Sequence, residues 1–427
     1  ADFYVINSCA ITAEADADAR NFVHRAKRAN PEGVTIVTGC SAQVSAASYE
    51  KMEEVDHVIG NISKDEIVRV IQGKIPPSPP FSKGGVGEGT QNYPPNQYPP
   101  LKKGGRGDLL PVFFGGGVPL SNHSRAFLKI QDGCSQFCSF CIVPFARGLN
   151  RSVEPDAVLA SLHDLGRQGI PEVVLTGIHL GTYGKDLKPR TSFEALLSRI
   201  ASEKPVPRVR VSSLDPEEVT EGIIDLMADE IFCPHFHLPL QSGDDGLLKS
   251  MRRRYNRELF RNLCARIRHS LPDAAIGTDV IVGFPGEGEE EFSATQGLIE
   301  ETDLAYLHVF PYSTRVGTKA ATFSGQVDPR DKKARSKILR DLSLQKKKRF
   351  HERFIGHDFQ VVLQRQKGKM TGLTGNYISI ELDCHPERSE GSIRHAGKIL
   401  RYAQDDMLSR VRITSVTPNA TRGELIH

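Results

Sequence analysis

Three cysteines within eight residues are the part of this 427-residue chain best suited to chemistry. The run Cys134-Ser-Gln-Phe-Cys138-Ser-Phe-Cys141 has C-x3-C-x2-C spacing and puts three thiolates on one short loop. Three thiolates can hold three irons of a [4Fe–4S] cluster and leave the fourth iron open to a small ligand. Zinc is the structural alternative, but a closed zinc site takes four ligands, and no fourth Cys or His stands at finger-like spacing. Buried structural thiols would not gather three to a loop. Of the other five cysteines, Cys9 and Cys40 each follow a strand-like run, whereas Cys233, Cys264 and Cys384 have no partner at ligand spacing and read as ordinary structural residues. Eight cysteines are too few for a disulfide scaffold of this size, so a reducing, cytoplasmic setting is expected.

These thiols need elements to hold them. The apolar patterning predicts strands at residues 2–7, 34–38 and 57–59, with helices at 13–29 and 64–72, an alternation that implies a parallel α/β unit. From residue 125 the alternation resumes. Strands are predicted at 125–130, 173–176, 209–212, 235–238, 276–282 and 305–310, and helices at 155–167, 193–201, 216–228, 257–270 and 289–300. Six strands with intervening helices over this length predict an incomplete (β/α)6 barrel whose chemistry sits at the carboxyl ends of its strands. Beyond residue 357, short alternating runs at 359–363, 377–382 and 409–416 predict a small all-β module.

Composition marks what lies between. Residues 75–119 hold ten Pro and ten Gly and an imperfect repeat, PPFSKGGVG and PPLKKGGRG, so this stretch reads as a linker or insertion that cannot bury enough apolar surface to order itself. Residues 384–406 are polar and strand-poor and read as a second insertion, inside the β module. The net charge of only +3 is unevenly spread: residues 330–353 carry eleven Lys or Arg against three acids, a basic helix opposed to a mildly acidic remainder. Such a run is either a solvated helix face or a nucleic-acid contact. No apolar stretch is long enough to span a bilayer, so no membrane association is expected. The domains expected are 1–74 (α/β), 75–119 (linker), 120–329 (barrel), 330–356 (basic helix) and 357–427 (β module).

The cysteine triplet, with Phe140 before its third member and a (β/α) pattern after it, resembles the radical S-adenosylmethionine enzymes. Further blocks narrow the resemblance to the methylthiotransferases: RAFLKIQDGCSQFCSFCIVPFARG, LTGIHLGTYG, RVSSL, HLPLQSGDDGLLKSMRRRY and GTDVIVGFPGE. The resemblance implies S-adenosylmethionine bound at Cys134, Cys138 and Cys141, with Phe140, Gly177, Ser213, Gln241 and Gly283 as candidate contacts and no catalytic side chain beyond the cluster. It also implies a second [4Fe–4S] cluster on three cysteines of the amino-terminal domain. The segments around Cys9 (NSCAIT) and Cys40 (TGCSAQ) resemble its second and third ligand motifs. The family's first ligand motif, G-C-x-x-N, is absent and the sequence opens inside a strand, so about 30 residues are expected to be missing at the amino terminus, by the length of a typical α/β repeat.

Within the family, the stretch from Asn7 to Gln43 and the run IVPFARG are most similar to enzymes acting on N6-threonylcarbamoyladenosine of tRNA. Enzymes for isopentenyladenosine or for a ribosomal-protein side chain, and an inactive truncated RNA-binding remnant, are the alternatives. The β module resembles the TRAM domain, an OB-like barrel. The implied partners are the tRNA anticodon stem-loop, contacted by Lys346, Lys347, Lys348 and Arg349, and an electron donor such as flavodoxin or ferredoxin, the enzyme itself being a monomer. Deleting residues 75–119 is expected to leave folding and iron content unchanged, measured by circular dichroism and iron analysis. Loss of either would show that the segment packs.

Overall fold

The computed structural model describes residues 1–61, 63–64, 66–73, 124–366, 369–382 and 408–426. The predicted linker 75–119, the insertion 384–406 and Cys384 lie outside the described residues. The chain divides into two compact units, and the cysteine-bearing loop Gly133–Leu149 belongs to the first of them together with the amino-terminal residues and Tyr312–Gly325.

The first unit is built on a parallel sheet, β1 (Phe3–Ser8), β2 (Val34–Gly39) and β3 (His57–Gly60), in that spatial order. Helix α1 (Ala13–Ala29) connects β1 to β2. It starts where the Thr12 hydroxyl accepts from Ala15 N at 3.1 Å, carries Glu14 and Asp16 in its first turn and Lys27 and Arg28 in its last, and buries Ala19, Val23 and Ala26. That stripe meets Val37, Ala42 and Tyr49 in one small core, and Ile36, Ile59 and Val70 form another. Short helices α2 (Cys40–Val44), α3 (Ala46–Glu50) and α4 (Glu66–Ile71) complete the domain, and α5 (Val143–Arg147), from the cysteine loop, packs on α2.

The second unit contains the predicted strands β4 (Ala126–Lys129), β7 (Val173–Thr176), β8 (Val209–Val211), β9 (His235–His237), β10 (Ala275–Val282) and β11 (Tyr306–Pro311). They form two parallel three-stranded sheets, β4-β7-β8 and β9-β10-β11, bridged where Val209 N donates to Ile231 O (2.7 Å) and Leu214 N to His237 O (3.0 Å). Between β4 and β7 a two-residue ladder joins β5 (Gln131–Asp132) to β6 (Arg151–Ser152). Helices α6 (Pro155–Arg167), α7 (Phe193–Glu203), α8 (Glu221–Leu226), α9 (Asp245–Ser250), α10 (Arg257–Ser270) and α11 (Glu289–Glu301) pack outside. The helix predicted at 216–228 is divided: a 3₁₀ turn at Pro216–Glu218 ends, and Thr220, whose hydroxyl accepts from Ile223 N, caps a fresh start for α8.

Strand alternation sorts the residues. Leu128, Leu175, Val209, Val211, Phe236, Ile276 and Val280 join the core under the helices. Their neighbours, which point the other way along a pleated strand, are polar or aromatic: Arg208 and Arg210, His235 and His237, Asp279, Tyr306 and His308. The barrel interior is therefore a lined lumen and not an apolar core.

After α12 (Pro329–Glu352), strands β12 (Asp358–Gln366), β13 (Lys369–Thr374), β14 (Ser379–Leu382), β15 (Ser409–Val416) and β16 (Thr421–Leu425) close a five-stranded barrel in the order β12-β13-β14-β16-β15. Its interior holds Val361, Ile378, Ile380, Val411 and Ile413, with Phe350 and Phe354 packed into the same cluster. The β13–β14 turn docks at the amino ends of the larger barrel's strands. Arg208 donates to Gln360 O (3.2 Å) and Leu373 O (3.0 Å), and Arg210 to Thr374 O (3.0 Å) and Gly375 O (2.8 Å). Fully buried Glu172 pairs with both, at 2.6 and 2.9 Å, and Arg125 reaches it at 3.4 Å. Burial pushes the Glu172 carboxyl up, but the arginines overrule it and hold it at about 2. Because that value lies below the ordinary one, this contribution to stability is complete above about pH 4.5 and is lost as pH falls toward 2. Replacing Glu172 by Gln leaves the two buried guanidinium groups without their counter-charge and is expected to cost about 3–5 kcal/mol in urea unfolding at neutral pH. A change below about 1 kcal/mol would remove the carboxylate from this role.

Candidate functional site

The cysteine loop begins with a steric requirement. Gly133 has φ of +70°, and a Cβ there would come within 2.0 Å of Leu149 O and 2.7 Å of Gly148 O. Only glycine lets the two ends of the loop touch, and Cys134 N then donates to Gly148 O at 3.0 Å. Phe137, at φ +53°, reverses the chain between the first two cysteines, and its ring meets Phe145 edge-on at 6.3 Å. Cys141 N donates to Cys138 O at 3.0 Å, and Gln136 N points at Cys134 Sγ from 3.4 Å. Cys134, Cys138 and Cys141 are all part-exposed and free of disulfides. Three accessible thiols on a closed loop, one already receiving a backbone N–H, are a donor set that fits an iron–sulfur cluster. Part-exposed Phe140 sits between the second and third thiols.

Cys9 and Cys40 stand at neighbouring carboxyl ends, since Ser8 on β1 is paired with Gly39 on β2. Gly39, at φ +99°, would drive a Cβ to within 2.3 Å of Ser8 O, so again only glycine allows the approach. The Ser8 hydroxyl donates to Thr38 O (2.6 Å) and accepts from Ala42 N (3.0 Å), which ties the start of α2 to the end of β1. Ile11 N lies 3.5 Å from Cys9 Sγ. Both thiols are free and part-exposed. Because α2 begins at Cys40 and packs on α5 of the triplet loop, the fold brings the two cysteine sets into one neighbourhood across about a hundred residues of sequence.

The other sequence candidates lie at strand ends of the second unit. Gly177 follows β7, where a Cβ would meet Leu180 and Gln131 within 3 Å, and Gln131 Oε1 accepts from Ile178 N and His179 N, both at 2.8 Å. The Ser213 hydroxyl, exposed after β8, lies 2.8 Å from His237 Nδ1. Gln241 has φ of +64° and bridges β10 through its main chain, donating to Asp279 O and accepting from Ile281 N, each at 2.9 Å. Gly283 is buried: its N–H donates to Glu287 at 2.8 Å, and a Cβ would strike the Lys332 side chain. Arg335 holds Glu287 in turn at 2.7 Å. Of the basic-helix candidates, Lys347 and Arg349 are exposed and Lys348 pairs with Glu352, whereas Lys346 donates to Glu300 O and Thr302 O at the end of α11. Cys233 and Cys264 are buried, and burial pushes both thiols up to about 12, as befits inert packing residues.

Sequence reasoning did not find two polar groups. Asn150 and Asp186 join β5–β6 to the loop after β7, with Asp186 accepting from Ser152 N (2.8 Å) and from Asn150 (2.9 Å). On β9–β11, Asp279 is shared by His237 and His308. Neither group is joined by a single motif, because the partners are far apart in sequence, although His237 and Asp279 each fall within a family-like block.

The Radical SAM superfamily model matches residues 128–299, and a model described as Uncharacterized protein family UPF0004 matches residues 1–60. The chain is 35% identical to a threonylcarbamoyladenosine tRNA methylthiotransferase of Bacillus subtilis, over 97% of this chain and 92% of that protein. It is 35% identical to the protein of the same name from Aquifex aeolicus, over 91% and 89%. A tRNA-2-methylthio-N6-dimethylallyladenosine synthase of Syntrophobacter fumaroxidans is 32% identical, over 100% and 88%. Among solved structures, the radical S-adenosylmethionine methyltransferase TsrM of Kitasatospora setae shares the fold, with a TM-score of 0.51 over 75% of this chain and 65% of that one at 14% identity. Replacing Gly133 by Ala should preserve the circular dichroism spectrum but lower the iron bound after anaerobic reconstitution, since the strain of about 1–3 kcal/mol falls on the loop alone. Unchanged iron content would refute the steric argument.

Proposed function

The chain belongs to the radical S-adenosylmethionine methylthiotransferases, and on that premise we propose that it adds a methylthio group to the adenine ring of N6-threonylcarbamoyladenosine beside the tRNA anticodon. The observation that carries the substrate is the identity of 35% with the Bacillus and Aquifex proteins of that name, which runs over nearly the whole of each chain.

The target carbon lies between two ring nitrogens and bears a strong, non-acidic C–H bond, so acid–base groups cannot activate it. A [4Fe–4S] cluster with bound S-adenosylmethionine supplies a 5′-deoxyadenosyl radical for that purpose. Cys134, Cys138 and Cys141 would hold this cluster, and the Gly133–Gly148 closure keeps their loop compact. Cys9 and Cys40 would provide two of the thiolates for a second cluster, which would supply the sulfur chemistry of the transfer. Ser213, Gln241 and the turns at Gly177 and Gly283 are the strand-end positions assigned to S-adenosylmethionine, with Phe140 beside the cluster. Ser213 offers a hydroxyl and Gln241 a carboxamide to its polar groups.

The five-stranded barrel resembles a TRAM module, and with Lys347, Lys348 and Arg349 on α12 it would supply the phosphate contacts to the anticodon stem-loop, giving salt-dependent affinity. Lys346 is proposed only as a support of α11. A flavodoxin or ferredoxin in the cytoplasm would provide the electron. Reconstituted protein, S-adenosylmethionine, a reductant and N6-threonylcarbamoyladenosine-containing RNA should yield 5′-deoxyadenosine and RNA heavier by one methylthio group in place of hydrogen. Cys138→Ala should abolish both products, whereas Cys40→Ala should lose the methylthio product and keep 5′-deoxyadenosine. No 5′-deoxyadenosine from protein with an intact cluster would end the assignment.

A further inference from the structure

The lumen of the larger barrel holds a group that the cluster chemistry does not use. On β11, Tyr306, His308 and Phe310 share one face, while Leu307 and Val309 pack outward. The rings stack on across strands: His308 lies 5.4 Å from His237 and 5.2 Å from Tyr306, with Phe310 edge-on at 6.5 Å. Exposure is greater toward the carboxyl end of β11, Tyr306 being part-buried and both His308 and Phe310 exposed. This is an aromatic wall with an open upper edge, the kind of surface on which an unstacked base lies.

The wall has a polar anchor. Asp279 Oδ1 lies 3.3 Å from His237 Nε2 and 3.2 Å from His308 Nδ1. His237 is buried, and its Nδ1 is 2.8 Å from the Ser213 hydroxyl. His308 stands more open: its Nδ1 is held by the carboxylate at 3.2 Å, and its Nε2 has no hydrogen-bond partner among the described residues. A carboxylate-held imidazole presents that nitrogen in a fixed direction, as acceptor when neutral and as donor when protonated. The side chain is 52% exposed, so a ligand can reach it.

We propose that His308, oriented by Asp279, binds the polar N6 substituent of the target adenosine, whose base stacks on the rings of His308 and Phe310. The inference rests on the reading of the substrate as N6-threonylcarbamoyladenosine. That substituent carries a ureido group, a hydroxyl and a carboxylate, each able to pair with an imidazole. A dimethylallyl substituent offers no polar partner and would leave the nitrogen desolvated and unpaired. His308 is in these terms a specificity residue, and it takes no part in the radical step. A divalent cation on the same three side chains is the competing use of the cluster, because their ligand atoms lie within 4.8 Å of one another.

The test uses reconstituted full-length protein and two anticodon stem-loop RNAs, one with N6-threonylcarbamoyladenosine and one with N6-dimethylallyladenosine. His308→Phe keeps a ring for stacking, and His308→Gln keeps a hydrogen-bonding group. Cluster absorbance and circular dichroism report whether each variant is folded. His308→Phe should raise KM for the threonylcarbamoyl RNA about tenfold to a hundredfold, with a smaller change in kcat, and narrow the preference between the two RNAs; His308→Gln should recover most of the loss. Equal KM in the wild type and His308→Phe, on an RNA that the wild type does modify, would overturn the inference and leave the substrate reading standing. A wild type that modifies only the dimethylallyl RNA would overturn the substrate reading itself. A non-cluster metal present in the wild type and lost from His308→Phe would assign the cluster to a cation and also overturn the inference.

Discussion

The larger barrel depends on the Glu172 carboxylate. Six strands that turn their apolar residues toward the helices must turn their other residues inward, and here those include Arg208 and Arg210, both buried. Two guanidinium groups side by side in a lumen are untenable without a counter-charge, and Glu172 pairs with both at under 3 Å. Neutralised in this way, each arginine has donors left over, and these reach main-chain carbonyls of the small barrel. One carboxylate thus fixes β7 to β8, closes the amino end of the lumen and seats the carboxy-terminal module. Tyr377, from the docked turn, adds its ring to the floor, stacked on His235 at 4.5 Å and under Arg210.

With the amino end sealed, chemistry is left to the carboxyl ends, where the strands stop and loops begin. The constraint there is steric. Gly39 and Gly133 both sit at positive φ where a Cβ would collide with backbone, and each immediately precedes a cysteine. In the first unit the fold presents thiols by making the chain turn sharply just before them. The packing of α2 on α5 then joins two such turns, so that one unit carries both cysteine sets.

The periodic signals were legible in the sequence. Helices such as 13–29 and 257–270 follow from stripes that begin at a capping Thr12 or Asn256, helix 155–167 from a stripe that begins at Pro155, and parallel strands from short β-branched runs. The cysteine triplet needed only its spacing. What remained hidden depends on pairs far apart in the chain. Arg208 and Arg210 flanking one valine look like a solvent-facing strand; nothing local says that Glu172 and the carbonyls near residue 374 neutralise them. Lys346 looks like its basic neighbours, yet it alone donates to the last carbonyls of α11, a role set by how two helices cross. At Gly177 and Gly283 the side chains nearest the space a Cβ would need, Gln131 with Leu180 at one and Lys332 at the other, are likewise not named by the local sequence.

The charge in the lumen is stratified. Burial, aided by Arg210, pushes His235 well below the ordinary histidine range, so it is neutral, and it shares a 2.8 Å hydrogen bond with the Tyr306 hydroxyl. Burial also pushes the Tyr306 phenol far up, which keeps that group neutral as well. A neutral, stacked layer therefore separates the ionic floor from Asp279 above it. Burial would raise the Asp279 carboxyl, but hydrogen bonds from His237 and His308 overrule it and hold it at about 2. The arginines below have Glu172 and the carbonyls as partners, so the Asp279 carboxylate is met locally by the two imidazoles, at 3.3 and 3.2 Å. The orientation of His308 follows from that contact, and it leaves one ring nitrogen turned away from the carboxylate, on a side chain that is half exposed.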